Sequence, residues 1–241
     1  MIASGALDGV DEVYGTHLWT NTPYGIVQTS PSELMAAADK FEITIKGKGG
    51  HGAIPHQTTD SIVAGSQVVT NLQQLKSRRI DPLHTAVLSI GTFYAGNAYN
   101  IIPGKVEITG TVRTFDETLQ QQIIDEMERI IQGTCVSFGV EYDFHYTKGY
   151  PAVVNHEEQA RAVIDAATSI DDIKKAEMTA PSMTGEDFAY FVKEKPGAFF
   201  FTGAQRSDHF VPHHHHLFDF DERAMLLAAK TFLQLIEQRN H

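Results

Sequence analysis

The sequence predicts an α/β protein in which a separate α+β module is inserted between two outer pieces of the chain. Short stretches alternate apolar and polar residues, as half-buried strands do, and longer ones repeat apolar residues at helical spacing. Between residues 40 and 148 the order is strand, helix, strand, strand, helix, strand, which is the split arrangement of a ferredoxin-like unit. The continuous apolar run from Ala198 to Gly203 is typical instead of a strand buried on both faces.

The first outer piece, residues 1–38, is predicted to contain one helix and one strand. Residues 1–7 have the pattern of the end of a helix that stops at Gly9, and residues 10–19 that of a short apolar strand that ends in a histidine, His17. Residues 31–40 indicate a connector or a short helical turn.

The inserted module, residues 39–149, shows the clearest periodicity. Phe41, Ile43 and Ile45 alternate with polar residues, and Asp116 is placed to cap a helix. The strands are predicted at residues 40–46, 84–93, 104–115 and 140–146, and the helices at residues 60–76 and from Asp116 through Ile131.

The second outer piece, residues 150–241, returns to α/β character. Its closing helix is predicted to be amphipathic, because Met225, Ala229, Phe232 and Ile236 recur at helical spacing. The elements predicted here are helices at residues 157–169, 186–193 and 222–238 and a strand at residues 198–203.

Composition excludes several classes of protein. A chain of 241 residues with 42% hydrophobic residues can build a core, and a net charge of −11 argues against nucleic acid or an anionic membrane as the main partner. No apolar run approaches the roughly 20 residues that a membrane-spanning helix needs. The single cysteine, Cys135, cannot form an internal disulfide, which fits a cytoplasmic protein.

The glycine loop, residues 47–56, is the first candidate site. Its glycines let the backbone take positive φ and approach a ligand closely, and they set His51 at the tip of a strand-to-helix loop. The alternative is a hairpin-like turn with an exposed histidine.

Two further histidines are candidate metal ligands. His214 lies in a run of four histidines that precedes an acidic segment, and His17 lies on the predicted apolar strand. The alternatives are a polar surface loop for His214 and a satisfied core or loop histidine for His17. A hydrolytic metal site needs about three to five N or O donors. These two histidines alone therefore supply only part of such a donor set.

The inserted module offers two groups that suit a carboxylate ligand. Arg113 lies on the polar face of a predicted strand and Asn100 lies in the polar loop before it. The alternative for Arg113 is an ion pair with Glu107. Glu186 lies in a turn that leads into a helix N-terminus, which is either an anion site or a plain cap.

These segments, in this order, resemble the metal-dependent N-acyl-amino-acid amidohydrolases, which include hippurate hydrolase, aminoacylases and indoleacetyl-amino-acid hydrolases. The resemblance runs through the whole chain, and six matches in order are far more specific than one. The matching segments are Gly15-Thr16-His17, Gly50-His51-Gly52-Ala53-Ile54-Pro55-His56, Asn100-Ile101-Ile102-Pro103, Gly110-Thr111-Val112-Arg113, Gly185-Glu186-Asp187-Phe188 and residues 214–222.

The resemblance implies a zinc-peptidase-like three-layer α/β catalytic domain, here partial, with a ferredoxin-like lid and dimerisation domain inserted into it. It makes His17 and His214 metal ligands, and it makes His51 the lid histidine that stabilises the oxyanion across a subunit boundary. Asn100 and Arg113 match positions that hold the free carboxylate of an N-acyl amino acid. Glu186 matches a residue that lines the floor of the pocket.

The resemblance also implies what this chain lacks. Complete members carry an upstream metal motif and a Glu-Glu pair that supplies a ligand and the general base, and neither is present here. We therefore expect that the chain is truncated and inactive alone. A complete site holds two divalent ions (zinc, manganese, cobalt or nickel), and we expect this chain to hold fewer. We also expect it to form a homodimer through the lid. The alternative is a non-catalytic dimerising or carboxylate-binding module. We also expect truncation to expose the apolar run at residues 199–201.

Overall fold

The computed structural model describes residues 1–240, which form two compact units. The outer unit consists of residues 1–36 and the described residues from Ala152 onward, and the inserted unit of Ala37–Pro151. The strands are β1 (Val13–Pro23), β2 (Ile26–Thr29), β3 (Glu33–Met35), β4 (Ala38–Lys46), β5 (Gly50–His51), β6 (Ala86–Ala95), β7 (Ile101–Ile102), β8 (Lys105–Thr114), β9 (Glu141–Tyr150), β10 (Val153–Val154), β11 (Lys175–Met178) and β12 (Gly197–Gln205). The α-helices are α1 (Ser61–Leu72), α2 (Glu117–Phe138), α3 (Glu157–Thr168), α4 (Ala189–Glu194) and α5 (Arg223–Arg239).

The outer unit is built on a mixed sheet with the strand order β1-β12-β2-β11. Strand β12 is parallel to β1 and antiparallel to β2, and β2 is parallel to β11. Phe200 packs into a cluster with residues of α3 and α5, whereas Phe199 and Phe201 pack into another with residues of α4, β3 and β10. Because successive strand residues point to opposite faces, the sheet has helices on both sides. This three-layer arrangement confirms the α/β class.

A buried asparagine fixes the start of β12. Asn155 donates from Nδ2 to the carbonyls of Ser30 and Phe199, both at 3.0 Å, and accepts at Oδ1 from the Phe199 N–H at 2.7 Å. The side chain is 4% exposed and all of these bonds lie within the outer unit. Asn155 thereby joins the segment before α3 to the central strand.

The inserted unit has a four-stranded antiparallel sheet with the order β6-β8-β4-β9. Together with α1 and α2 this is the ferredoxin-like topology that the element order predicts. The alternating Phe41, Ile43 and Ile45 are at most 1% exposed, and they share one core with residues of both helices. Asp116 caps α2 as predicted, because its carboxylate accepts the Leu119 N–H.

Asp39 completes the end of this sheet where β4 and β9 meet. Its buried carboxylate accepts from Gln120 Nε2 at 2.6 Å, the Tyr146 hydroxyl at 2.7 Å and the Gly149 N–H at 3.0 Å. Burial and the hydrogen bond to Asp39 raise the pKa of Tyr146. The carboxylate therefore joins the strand that enters the unit to the strand that leaves it.

Several local predictions are wrong. Residues 1–7 contain only a 3-10 turn at Ile2–Ser4, since Gly5 takes a left-handed φ of 82° and ends it. Residues 31–40 contain β3 and the start of β4 instead of a helical turn, and α4 begins at Ala189, three residues later than predicted.

The expected exposure of residues 199–201 is also wrong, because these three side chains are at most 3% exposed. No helix in the described part of the chain is long and apolar enough to cross a membrane.

Candidate active site

His17 lies in the middle of β1 and not at its end as predicted. It stands opposite Phe201 of β12, its side chain is 41% exposed, and the ring meets the edge of Phe199 at 4.9 Å between centroids. Its Nε2 lies 2.6 Å from Oε2 of Glu186. His17 is therefore a half-exposed histidine held by a carboxylate, not a core histidine.

Glu186 has both carboxylate oxygens engaged within the outer unit. Oε2 contacts His17, and Oε1 accepts the Phe188 N–H at 3.2 Å just before α4. Its side chain is 17% exposed. The carboxylate is thus positioned beside a candidate metal ligand.

The histidine loop, residues 211–218, contacts the distal half of β1. The His213 ring lies 4.6 Å from the Trp19 ring and 5.1 Å from the Phe218 ring, and its Nε2 accepts the Thr20 N–H at 3.2 Å. Burial lowers the pKa of His213, and the charges of His17 and His214 lower it further. Sequence reasoning missed His213, whose only signal is its place beside His214 in the four-histidine run.

His214 is exposed, and its backbone φ is 66°. Among the described residues it is the one non-glycine residue with a positive φ. A β-carbon in this region costs about 1–2 kcal/mol, so the conformation persists only where the surroundings hold it.

The donors do not converge into a complete metal centre. Within residues 1–240, no group of three or more His, Cys, Asp or Glu side chains is arranged to hold a metal ion. The outer unit supplies His17, Glu186 and His214, whose N and O donors suit a divalent metal in kind. A hydrolytic centre needs about three protein donors converging on one ion, so the described residues do not fit a full site.

In the inserted unit, two segments that are distant in sequence form one short ladder. Strand β5 pairs with β7, with His51 opposite Ile101, and the Gly52 N–H donates to the Asn100 carbonyl at 2.8 Å. This pairing brings the predicted residues His51 and Asn100 next to each other, and both are exposed.

The glycines of the glycine loop act through their size and not through positive φ. Gly47, Gly49, Gly50 and Gly52 are not among the residues with positive φ. A β-carbon on Gly49 would lie 2.7 Å from the Ile102 carbonyl oxygen, and one on Gly52 would lie 3.0 Å from that of Asn100. The expected positive φ is therefore wrong. Close approach of the backbone is required, and its partner is the facing loop.

The orientation of His51 fixes its tautomer. Its Nδ1 lies 3.1 Å from the Ala53 backbone nitrogen and accepts that N–H. In the neutral ring the proton must then be on Nε2, because one nitrogen accepts and the other donates. His51 therefore presents an N–H donor at Nε2 on an exposed side chain.

Arg113 lies on β8 opposite Val87 and is partly buried. The ion pair between Arg113 and Glu107, which the sequence also allows, is not formed, because Glu107 pairs with Lys105 at 2.6 Å. Within the described residues, no hydrogen bond or ion pair involves the Arg113 guanidinium. Its planar set of donors is thus available to a carboxylate.

Residues 1–238 match the family described as Peptidase family M20/M25/M40. The chain belongs to this family. It is 52% identical over 158 residues to an N-acyl-L-amino acid amidohydrolase of Geobacillus stearothermophilus, covering 66% of this chain and 43% of that protein. It is 34% identical to the N-acetylcysteine deacetylase of Bacillus subtilis, covering 98% of this chain and 60% of the relative.

Solved structures show the same fold. A dinuclear metal-binding peptidase of the M20 family from Bacillus subtilis superposes with a TM-score of 0.77 at 30% identity, over 97% of this chain and 58% of that one. The chain therefore spans about three fifths of the length of that structure and of the deacetylase.

Proposed function

We propose that this chain is part of an amidohydrolase that cleaves the amide bond of N-acyl amino acids. The observation that carries the proposal is the presence, in one unit, of an oriented imidazole donor at His51 and an unpaired guanidinium at Arg113. Amide hydrolysis of such substrates needs both kinds of group, one for the developing oxyanion and one for the free carboxylate. The amidohydrolase and deacetylase names of the relatives support this choice.

In this proposal the inserted unit serves as the lid and binds the substrate. Arg113 receives the carboxylate in a bidentate contact and Asn100 adds a side-chain amide donor. The Nε2–H of His51 donates to the carbonyl oxygen as it becomes negative. Loss of one such donor in other hydrolases costs about 10²–10³ in rate.

The outer unit is proposed to contribute His17 and His214 as ligands of divalent metal, with Glu186 orienting His17. Zinc, manganese, cobalt and nickel all suit this donor set. Because too few donors converge within the described residues, we propose that further ligands and the general base come from polypeptide beyond this chain. The chain alone then holds fewer than two ions.

We further propose a homodimer formed through the inserted unit, located in the cytoplasm as the single Cys135 suggests. A second candidate is a non-catalytic module that dimerises or binds carboxylates. It is favoured by the same unpaired Arg113 together with the incomplete donor set.

Assays on N-acetyl and N-benzoyl amino acids test the proposal. The purified chain with added zinc, manganese, cobalt or nickel ions should show no hydrolysis. Supplementing it with the part of the Bacillus subtilis deacetylase that it does not match should produce hydrolysis, which Arg113→Lys should reduce about ten-fold or more through the loss of bidentate binding. The matched control is Arg129→Lys, a helix-surface arginine paired with Glu126.

Rapid hydrolysis by the unsupplemented chain would contradict the need for further ligands. If the supplemented chain binds N-acetyl amino acids without turning them over, the carboxylate-binding module is the correct function.

A further inference from the structure

The four consecutive histidines at positions 213–216 have different environments. His215 and His216 are exposed and lie against each other, with 4.3 Å between ring centroids. His213 is partly buried between two aromatic rings and accepts a backbone hydrogen bond at Nε2. Because that nitrogen is occupied by the Thr20 N–H, His213 is a poorer ligand than the exposed His214.

A continuous ring stack joins the histidine loop to the sheet. The Trp19 ring lies 4.4 Å from the Phe201 ring at an interplanar angle of 15°. Trp19 also stacks on the His213 ring, and His213 in turn contacts the Phe218 ring. The hydroxyl of Thr20 also donates to the Val211 carbonyl at 3.3 Å. The loop is therefore attached to β1 by ring packing, an imidazole acceptor and a hydroxyl donor.

These attachments flank the residue with the left-handed backbone. His214 follows His213 directly, and its φ of 66° needs support from neighbouring contacts. The same strand, β1, carries His17 two residues before Trp19. The attachment of His213 to Trp19 and Thr20 thus connects the backbone positions of both candidate metal ligands.

We propose that His213 is a positioning residue, which places His214 by anchoring the histidine loop to Trp19 and Thr20 of β1. The anchoring follows from the contacts alone, and only the purpose of placing His214 rests on the proposed function. The aromatic face and the Nε2 acceptor make separable contributions, so different substitutions can remove them one at a time.

Three variants of the full chain test this inference. His213→Phe keeps a ring in the stack but cannot accept the Thr20 N–H. His213→Gln keeps an acceptor without a ring, and His213→Ala removes both. His216→Ala is the matched control in the same loop, because its ring contacts His215 and lies outside the stack.

Four measurements are made by NMR and fluorescence. The exchange rate of the Thr20 amide reports the imidazole hydrogen bond, and the emission of Trp19, the one tryptophan of the chain, reports the ring stack. Backbone ¹⁵N relaxation at His214 reports the order of the loop. A Zn²⁺ titration followed on the ring signals of His17 and His214 reports their use as ligands.

His213→Ala should accelerate exchange of the Thr20 amide about ten-fold, which corresponds to the net free energy of one hydrogen bond. It should also increase the backbone motion of His214. His213→Gln should restore protection at Thr20, and His213→Phe should restore the Trp19 emission. His216→Ala should change none of these. In His213→Ala the His214 ring should need more Zn²⁺ to respond, while the His17 ring responds as in the unaltered chain.

Unchanged Thr20 exchange and His214 relaxation in His213→Ala would overturn the inference. If the rings of the unaltered chain ignore Zn²⁺, the proposed metal role fails, while exchange and relaxation still decide whether His213 anchors the loop.

Discussion

Glu12 shows how a single carboxylate joins three parts of the outer unit. It accepts from the Tyr14 hydroxyl at 2.8 Å, from Gln159 Nε2 at 2.8 Å and from Arg239 Nε at 2.9 Å. These contacts connect the residues before β1 with α3 and the end of α5. The hydrogen bond from Arg239 is the largest cause that lowers the pKa of Glu12, to about 2 from an ordinary 4.5.

This lowered pKa predicts a pH-dependent stability. A carboxyl group whose pKa is lower in the folded state stabilises it above the unfolded pKa and loses that effect as pH falls through the folded pKa. The contribution of Glu12 should thus be complete above pH 4.5 and be lost towards pH 2. Glu12→Gln should lower the free energy of unfolding at pH 7 by on the order of 2 kcal/mol, and less at pH 2.

Urea denaturation of both proteins at pH 2, 3, 4 and 7 measures this difference. Glu157→Gln is the control, because its carboxylate forms an exposed ion pair with Arg161 within α3. Such pairs contribute about 0–1 kcal/mol. An equal loss at pH 2 and pH 7 for Glu12→Gln would show that the carboxylate charge is not responsible.

Single residues show what a sequence can and cannot predict. The sequence predicts Arg113 as a carboxylate ligand but allows a pairing with Glu107, which the structure excludes because Glu107 pairs with Lys105. Nothing in the sequence marks Asn155, whose partners come from segments far away in the chain. Hydrogen-bond partners at long sequence separation leave no local pattern to read.

At the scale of elements, α5 is a helix as predicted, but of its repeated apolar residues only Phe232 packs against the core. Met225 and Ile236 of the same repeat are 49% and 56% exposed. Two stripes of this helix are apolar and both follow helical spacing, so periodicity cannot choose between them. The residues that the structure buries are Ala224, Leu227, Ala228, Thr231 and Leu235.

The outward stripe of α5 predicts self-association of the chain. Leu226 and Leu233 are 59% and 62% exposed and lie on the same side of the helix as Met225 and Ile236. Contiguous exposed apolar surface of this kind promotes association. Leu226→Glu combined with Leu233→Glu should lower the mass measured by sedimentation, with stability changed by less than about 0.5 kcal/mol per site because neither side chain is buried.

Val154→Glu is the control, because Val154 is an exposed apolar residue of β10 in the same outer unit, at 42% exposure. If the α5 variant has the same mass as the unaltered chain, this stripe is not a site of association.

At the scale of the whole molecule, the hydrophobic cores respect the division into two units. The large cluster around Phe41 contains only residues of the inserted unit, and the clusters around Phe200 and Phe199 contain only residues of the outer unit. The ends of the inserted unit also meet, since Ala38 pairs with Tyr150. Each unit therefore has a core of its own.

This division predicts that residues 37–151 fold when expressed alone. The fragment should unfold cooperatively in urea, because domains with their own cores behave as separate folding units. Asp39→Asn should destabilise it by about 1–3 kcal/mol, since an amide placed against three donors leaves buried groups unsatisfied. Asp143→Asn is the matched control, because Asp143 is 64% exposed and pairs only at the surface with Lys46.

Circular dichroism against urea concentration measures both effects. A fragment without cooperative unfolding would show that the inserted unit depends on the outer one. Equal effects of the two substitutions would contradict the role of Asp39.

The sequence by itself determined the long elements and the order of the ferredoxin-like unit, and the candidate site residues that it suggests stay predictions. Strands such as β4 and helices such as α2 are long enough for the spacing of their apolar residues to be recognised in the sequence. Strand β12 is recognised because it is apolar on both faces. The short strands β2, β3, β10 and β11 have two to four residues and were missed, since so few residues show no period.

Only the tertiary structure decided how the candidate residues are held. It placed the Glu186 carboxylate against His17, paired the His51 loop with the loop of Asn100, and stacked His213 on Trp19. Each of these contacts joins residues that are tens to hundreds of positions apart. Local propensity determines which element a residue joins, but only the folding of distant elements onto one another determines which side chains meet.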